Sequence, residues 1–331
     1  MKEKKTIPLL NVVSFDLMLA ALIVALVLFL RMGVPLLESR AAPRNTPAPT
    51  PAPIPTAQAA EPAGDPRSEW QIRFAEHFSA ETEIGERSYR SENVSIEIET
   101  LQFGEGIDAS VYHVADIYLG SPEFFQTYTA NGRMVYFETQ PAEEMAADSH
   151  AILCISGDFL TYQTSGFLMR NGEFYRQDTP LNDLCVLYAD GVMETYPAGT
   201  YDAQQIIERS PRQIWSFGPA LLDAEGHVLG RYNVSTAVSY PNPRSAVGYY
   251  EPGHYCFVVV DGRQEGYSHG VTVPELARIF EELGCKAAYN LDGGGSAVMV
   301  FNHERVSRQS NGGRALGDIL LITEPGWEEE A

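Results

Sequence analysis

The sequence predicts an α+β domain, a mixed β-sheet with a few packed helices, preceded by one transmembrane helix and a proline-rich stalk. Three observations lead there. Residues 12–30 form an apolar run at the N-terminus. Eight of the 26 residues in 41–66 are proline. Beyond them come many short alternating runs parted by turn residues, with few helical stripes, which is not the pattern of a regular strand–helix alternation.

The expected organisation is a cytoplasmic tail over 1–11, a membrane span over 12–30, a linker over 31–66 and a folded domain over 67–331. The only polar residues of the apolar run are Ser14 and Asp16. At helical rise its length is about 28 Å, close to the ~30 Å of a bilayer's hydrocarbon core. Asp16 stands near one end, where its cost is smaller. Lys2, Lys4 and Lys5 precede the run, which predicts a cytoplasmic N-terminus with the remainder outside. A cleaved signal peptide shares these features, but no small-x-small site follows Leu30, so the uncleaved anchor is the expectation. Proline at the density of 41–66 forbids a helix or central strand and favours an extended polyproline spacer.

Charge sharpens the division. The 331 residues carry 44 acidic and 23 basic side chains, a formal net charge of −21. Residues 1–44 hold six basic and three acidic groups, and the rest holds 17 and 41. An acidic outward part speaks against a nucleic-acid partner, because contact with a phosphate backbone needs a basic surface. Lys286 is the one lysine beyond the tail, so the domain's cationic chemistry falls to arginine. The four cysteines, Cys154, Cys185, Cys256 and Cys285, are expected as buried free thiols, although two disulfides in three pairings would satisfy the count. Neither CxxC nor HExxH occurs, so no metal and no cofactor is expected.

Along the domain, 94–100 and 110–119 alternate with period two, and 151–155 is a buried strand ending in Ser156-Gly157-Asp158. Asn171-Gly172 marks a tight hairpin. Residues 184–187 and 191–196 form a second hairpin, 202–209 a short helix, and 220–229 a strand–turn–strand. Strand 256–260 ends in Asp261-Gly262-Arg263. A helix follows, with Thr272 and Glu275 as its capping box, Pro274 in its first turn, Leu276, Ile279, Phe280 and Leu283 as its apolar stripe, and Gly284 as its stop. Strands 287–291 and 297–301 flank the loop Asp292-Gly293-Gly294-Gly295-Ser296.

That loop is the sharpest chemical feature. Three glycines permit positive φ and close backbone approach, and their N–H groups can form an anion-binding nest. A glycine-rich hairpin turn is an equal reading of the same residues. Asp158, Asp261 and Asp292 each stand at a strand end near glycine, and Arg244 precedes another strand. Singly these read as satisfied turn residues; three strand-end carboxylates near glycines are a less ordinary set together.

The chain resembles the phosphodiester glycosidase family. The resemblance rests on CISGDF at 154–159, SFGPALL at 216–222, NPRSAVG at 242–248, VVVDGR at 258–263, SHGVTVPELA at 268–277, NLDGGGSAVMV at 290–300 and GGRALGDILLI at 312–322, over roughly 90–323. It implies hydrolysis of the bond between a sugar's anomeric carbon and a phosphodiester, with a cell-envelope or exported glycan as substrate. It implies Asp158, Asp261 and Asp292 as catalytic residues. Gly157, Arg244, Arg263, Asn290, Gly293, Gly294, Gly295, Ser296 and Arg314 are the implied substrate contacts. Asp261 and Asp292 are assigned to the sugar, Arg244 and the glycine loop to the phosphate, since guanidinium groups hold phosphate oxygens with paired hydrogen bonds. Bacterial members often carry an N-terminal membrane segment, which implies a single-pass protein of the bacterial cell membrane with its domain outside. The chain departs from the family at Ser156, usually Asn, at His269, commonly Glu, and at Ser307, frequently Asn. The alternative is a non-catalytic envelope module that binds glycans or assembly partners in the same cleft.

Overall fold

The computed structural model describes residues 67–163, 166–178 and 182–329. The expected tail, span and linker lie outside the described residues. Among the described residues no helix is long and apolar enough to cross a membrane.

Three antiparallel sheets and a few short helices make up the domain, as the α+β expectation requires. The largest sheet has seven strands in the spatial order 83–84, 88–90, 94–103, 110–119, 254–260, 244–251 and 287–290. A five-stranded sheet runs 193–196, 184–188, 211–215, 167–170 and 173–177, and another runs 304–305, 299–301, 153–156, 318–322 and 125–129. One apolar core joins all three: Phe257 and Val259 from the first, Leu187 and Trp215 from the second, and Leu153, Met299 and Leu320 from the third. Fully burying side chains of this kind is worth about 1.5–3 kcal/mol each over leaving them in water.

Local chemistry accounts for the elements. Thr272 and Glu275 form the reciprocal capping box that starts helix Val273–Glu282. Leu276, Ile279 and Phe280 are buried against Val258, Val260 and Ala288 of the large sheet, and Gly284 leaves the helix at φ +80°. Asn171 and Gly172 adopt φ 50° and 85°, the positive values that a two-residue hairpin between Phe167–Arg170 and Glu173–Gln177 demands. Asp202 caps helix Ala203–Glu208.

Two expectations change. The 220–229 segment makes isolated bridges, Leu222 to Val228 within itself and Ala220 to Tyr289, rather than two strands. Leu221 N–H is drawn instead to Ala288 O of the neighbouring strand at 2.9 Å. Helix Ala142–Asp148 was not foreseen; it packs Met145 and Ala146 onto the sheet containing Leu153–Ser156. All four cysteines are buried and free, with the Cys256 and Cys285 sulfurs 3.7 Å apart.

Candidate active site

The glycine loop is where two sheets are tied together. Strand Ala287–Asn290 belongs to the large sheet, and the chain beyond it crosses to the end of strand Leu153–Ser156. Leu291 N–H donates to Ser245 O at 2.8 Å, and Asp292 N–H donates to Gly157 O at 2.9 Å. Gly293 lies so close to the neighbouring loop that a Cβ there would stand 2.5 Å from Pro243 O. Gly294 takes φ +62°, and a Cβ there would meet the Arg263 guanidinium at 3.3 Å. Both glycines are therefore required by space or conformation.

A cleft of about 220 Å³ opens over this loop, walled by Phe217, Asn242, Arg244, Arg263, Arg314 and the stretch 291–295. Larger hollows of about 560 Å³ beside Leu222 and Tyr249, and about 470 Å³ beside Phe124 and Trp327, have no arginine on their walls. The smaller cleft is the one where the strand-end motifs converge.

Its electrostatics favour an anion. Buried Arg244 donates from Nε to Val271 O at 3.0 Å, and from Nη2 to Val238 O at 2.7 Å and Tyr240 O at 2.9 Å. Burial first, then Arg263, pushes its pKa down to about 10, which still leaves it charged at neutral pH. Arg263 donates from Nε and Nη2 to Asn242 Oδ1 at 3.1 and 2.5 Å. Among the described residues neither arginine pairs with a carboxylate. Arg263 also sits at φ 58°, a left-handed conformation costing roughly 1–2 kcal/mol for a residue with a side chain. Among the described residues, the N–H groups of Gly293 and Gly295 have no acceptor. Two guanidinium groups held by neutral acceptors, beside these N–H groups, are chemically able to donate to the oxygens of an anion.

Asp292 is the one predicted carboxylate on the cleft wall. Arg314 Nη2 donates to its Oδ1 and Oδ2 at 2.9 and 2.7 Å, and Arg314 Nε donates to Ser296 Oγ at 2.5 Å. Burial raises the carboxyl pKa above the usual range, while the Ser296 hydrogen bond and Arg314 oppose that rise.

The remaining predicted residues stand behind the cleft. Asp158 is fully buried: Oδ2 accepts from Ser216 N–H at 3.0 Å, and Oδ1 makes a charge contact with Arg170 Nη2 at 2.9 Å. Asp318 shares that guanidinium at 3.2 Å, and its pKa is pushed up to about 7 by burial and by Asp158. The Gly157 position is hydrogen-sized because the Asp318 carboxylate fills the space its side chain would need. Asp261 accepts at Oδ1 from Arg308 N–H at 2.9 Å. At Oδ2 it meets Tyr267 Oη at 2.8 Å and His113 Nε2 at 3.2 Å. With both oxygens occupied and 2% exposure, it does not border the cleft. Asn290 donates to Gly218 O at 2.8 Å, and Ser296 is buried beneath Arg314. Ser156 is buried too; its hydroxyl donates to Asp292 O at 2.9 Å and lies 2.6 Å from Ser245 Oγ. It positions the loop rather than facing the cleft.

Phe217 and Asn242 also line the cleft, beyond the residues expected there. Each stands inside a motif quoted above, Phe217 in SFGPALL and Asn242 at the head of NPRSAVG, so a signal existed.

The fold is a sheet-built domain with an arginine-rich, glycine-floored cleft at the junction of two sheets. A model of the phosphodiester glycosidase family matches residues 149–323, and the chain belongs to that family. The catalytic domain of zebrafish N-acetylglucosamine-1-phosphodiester alpha-N-acetylglucosaminidase, auto-inhibited by its pro-peptide, shares the fold at a TM-score of 0.59. It is 19% identical, over 80% of this chain and 96% of that one. The SPbeta prophage-derived uncharacterized protein YomE of Bacillus subtilis is 28% identical over 200 residues, 57% of this chain. The match spans 31% of that protein's length, about a third.

Proposed function

We propose that this domain hydrolyses the bond between a sugar's anomeric carbon and a phosphodiester, in a cell-envelope or exported glycan. The observation that carries the reading is the pairing of two arginines, Arg244 and Arg263, that have no carboxylate partner among the described residues, beside Asp292 on one cleft wall. Arg244, Arg263 and the N–H groups of Gly293 and Gly295 hold the phosphate oxygens. The C1–O bond breaks with its electron pair passing to the phosphate oxygen, and water supplies the new C1–O bond, releasing one proton to the phosphate monoester or to solvent. Ionised Asp292 faces the positive charge that develops on the sugar ring. A phosphate monoester is a weak base as a leaving group, so one carboxylate with two arginines suffices where ordinary glycosides need a second acid. The membrane span over 12–30 and the stalk over 31–66 complete the proposal by holding the domain outside the cell membrane.

A second reading, a glycan-binding module without turnover, draws on the Arg314 grip that occupies both oxygens of Asp292. Turnover separates the two. With N-acetylglucosamine 1-(methyl phosphate) as probe, the wild-type chain is expected to release N-acetylglucosamine. Asp292→Asn should lower kcat by about 100-fold or more, the scale of a lost acid–base or charge-stabilising group. Undiminished turnover by that variant would remove Asp292 from the mechanism. In heavy-oxygen water the label should enter the sugar; label in the phosphate would mean P–O cleavage and end the glycosidase reading.

A further inference from the structure

The cleft does not end at Phe217. Its ring meets Phe159 edge-on at 6.4 Å, Phe159 stacks on Tyr162 at 4.5 Å, and Tyr162 meets Phe137 edge-on at 5.7 Å. A row of four rings thus leads from the cleft wall to open solvent, where Tyr162 is 44% and Phe137 72% exposed. Arg314, the residue that grips Asp292, lies over the Phe159 ring at 5.2 Å. Phe159 and Phe137 both hold left-handed backbones, at φ 61° and 62°. That conformation is an outlier for bulky side chains and points to a local purpose. Rings left in water contribute little to stability, and clustered exposed apolar surface marks a binding site.

We infer that this row is the subsite for the far side of the substrate: the glycan beyond the phosphodiester runs along Phe217, Phe159, Tyr162 and Phe137. The inference rests on the sugar-phosphodiester reading of the cleft. A pyranose fits because it is two-sided. Its axial C–H groups make an apolar face that lies on an aromatic ring, while its hydroxyls stay in water at the ring's edge. Phe159 is itself covered by Tyr162 and Arg314, so the faces on offer are those of the exposed Tyr162 and Phe137. A ligand that enters it must also be polar at the cleft end, where the arginines and glycine N–H groups wait. A sugar chain carrying a phosphodiester meets both demands, and an acyl chain meets neither, since it would need an enclosed groove.

The test compares two esters of N-acetylglucosamine 1-phosphate, one methyl and one cellotetraosyl, on the full chain and on Phe137→Ala and Tyr162→Ala. The variants should raise KM for the cellotetraosyl ester about tenfold, which is about 1.4 kcal/mol. Values for the methyl ester should not move. Equal losses on both esters, or no loss on either, would overturn the subsite. A binding arm stands apart from hydrolysis. Cellotetraose and chitotetraose are titrated calorimetrically into the wild-type chain and Phe137→Ala. Binding of either that weakens in the variant supports the row even where neither ester turns over, which would then count against the cleft reading alone. If neither sugar binds the wild-type chain, the row is not a glycan subsite. If a peptide copying residues 41–66 competes where the sugars do not, the occupant is the chain's own linker and the inference fails.

Discussion

Arg314 holds Asp292 by a single nitrogen: Nη2 reaches both carboxylate oxygens, at 2.9 and 2.7 Å, while Nε is engaged by Ser296. The arginine side chain is 48% exposed and the aspartate 13%. An exposed cation therefore controls a nearly buried acid. The grip favours the ionised form of Asp292 against the burial that disfavours it.

Arg314→Leu should consequently move the acid side of the pH–rate profile to higher pH. Removing the guanidinium takes away two influences that lower the Asp292 pKa and leaves burial and Asp158 to raise it. Each unit of rise costs about tenfold in ionised Asp292 on the acid side. The loss in kcat/KM should be large at the acid end of the profile and small at its alkaline end. A uniform loss across the range would mean that Arg314 acts on substrate, not on Asp292.

Arg263→Gly should separate stability from binding. The substitution relieves a φ of 58°, worth about 1–2 kcal/mol. It also forfeits the hydrogen bonds to Asn242. The expected result is a Tm at or above wild type, with inhibition by inorganic phosphate weakened about 10–100-fold, the worth of one charged hydrogen bond. Phosphate inhibition that survives unchanged would place the anion elsewhere than beside Arg263.

The glycine loop gives a paired contrast. Gly293→Ala would set its Cβ 2.5 Å from Pro243 O, so the backbone must shift, at a cost of about 1–3 kcal/mol in the free energy of urea unfolding. Gly295→Ala meets nothing nearer than Arg314 Cγ at 4.0 Å and should leave stability within about 0.5 kcal/mol. Equal destabilisation by both would contradict the close approach of the two loops.

The buried Asp158–Arg170–Asp318 cluster should give the domain a stability that falls as pH rises towards neutral. Two carboxylates share one guanidinium, so one proton is retained, and the Asp318 pKa is pushed from an ordinary 3.8 up to about 7. A folded pKa above the unfolded one means that the native state binds the extra proton between those values. Its contribution is therefore present near pH 4 and lost by about pH 7. Asp318→Asn should flatten that slope in thermal melts taken across the window; an unchanged slope would assign it to another group.

The sequence made much of this site legible. Local rules sufficed wherever the deciding contacts are local: the capping box at Thr272 and Glu275, the Asn171-Gly172 hairpin, and the glycines that let residues 292–296 turn tightly beside another loop. Seven of the predicted site residues, Arg244, Arg263, Asp292, Gly293, Gly294, Gly295 and Arg314, line one cleft. Asp261 shows where local rules stop. A carboxylate at a strand end reads the same whether it faces a cleft or is buried, and its partners His113 and Arg308 come from 148 residues earlier and 47 later. Ser156 read as an altered ligand; its place behind Asp292 is fixed by Ser245 across the sheet junction.

By itself, then, the sequence determined the α+β class, the order of the motifs, the helix ends and turns, and the reliance on arginine in a domain with one lysine. Those follow from backbone propensity, hydrophobic period and composition, which act over a few residues or over the whole chain. Only the tertiary structure decided which of three strand-end aspartates borders the cleft, that Gly157 exists to admit Asp318, and that Phe217 begins a row of rings. Each of these depends on which distant group occupies the space beside a side chain, and packing between strands far apart in the chain settles that.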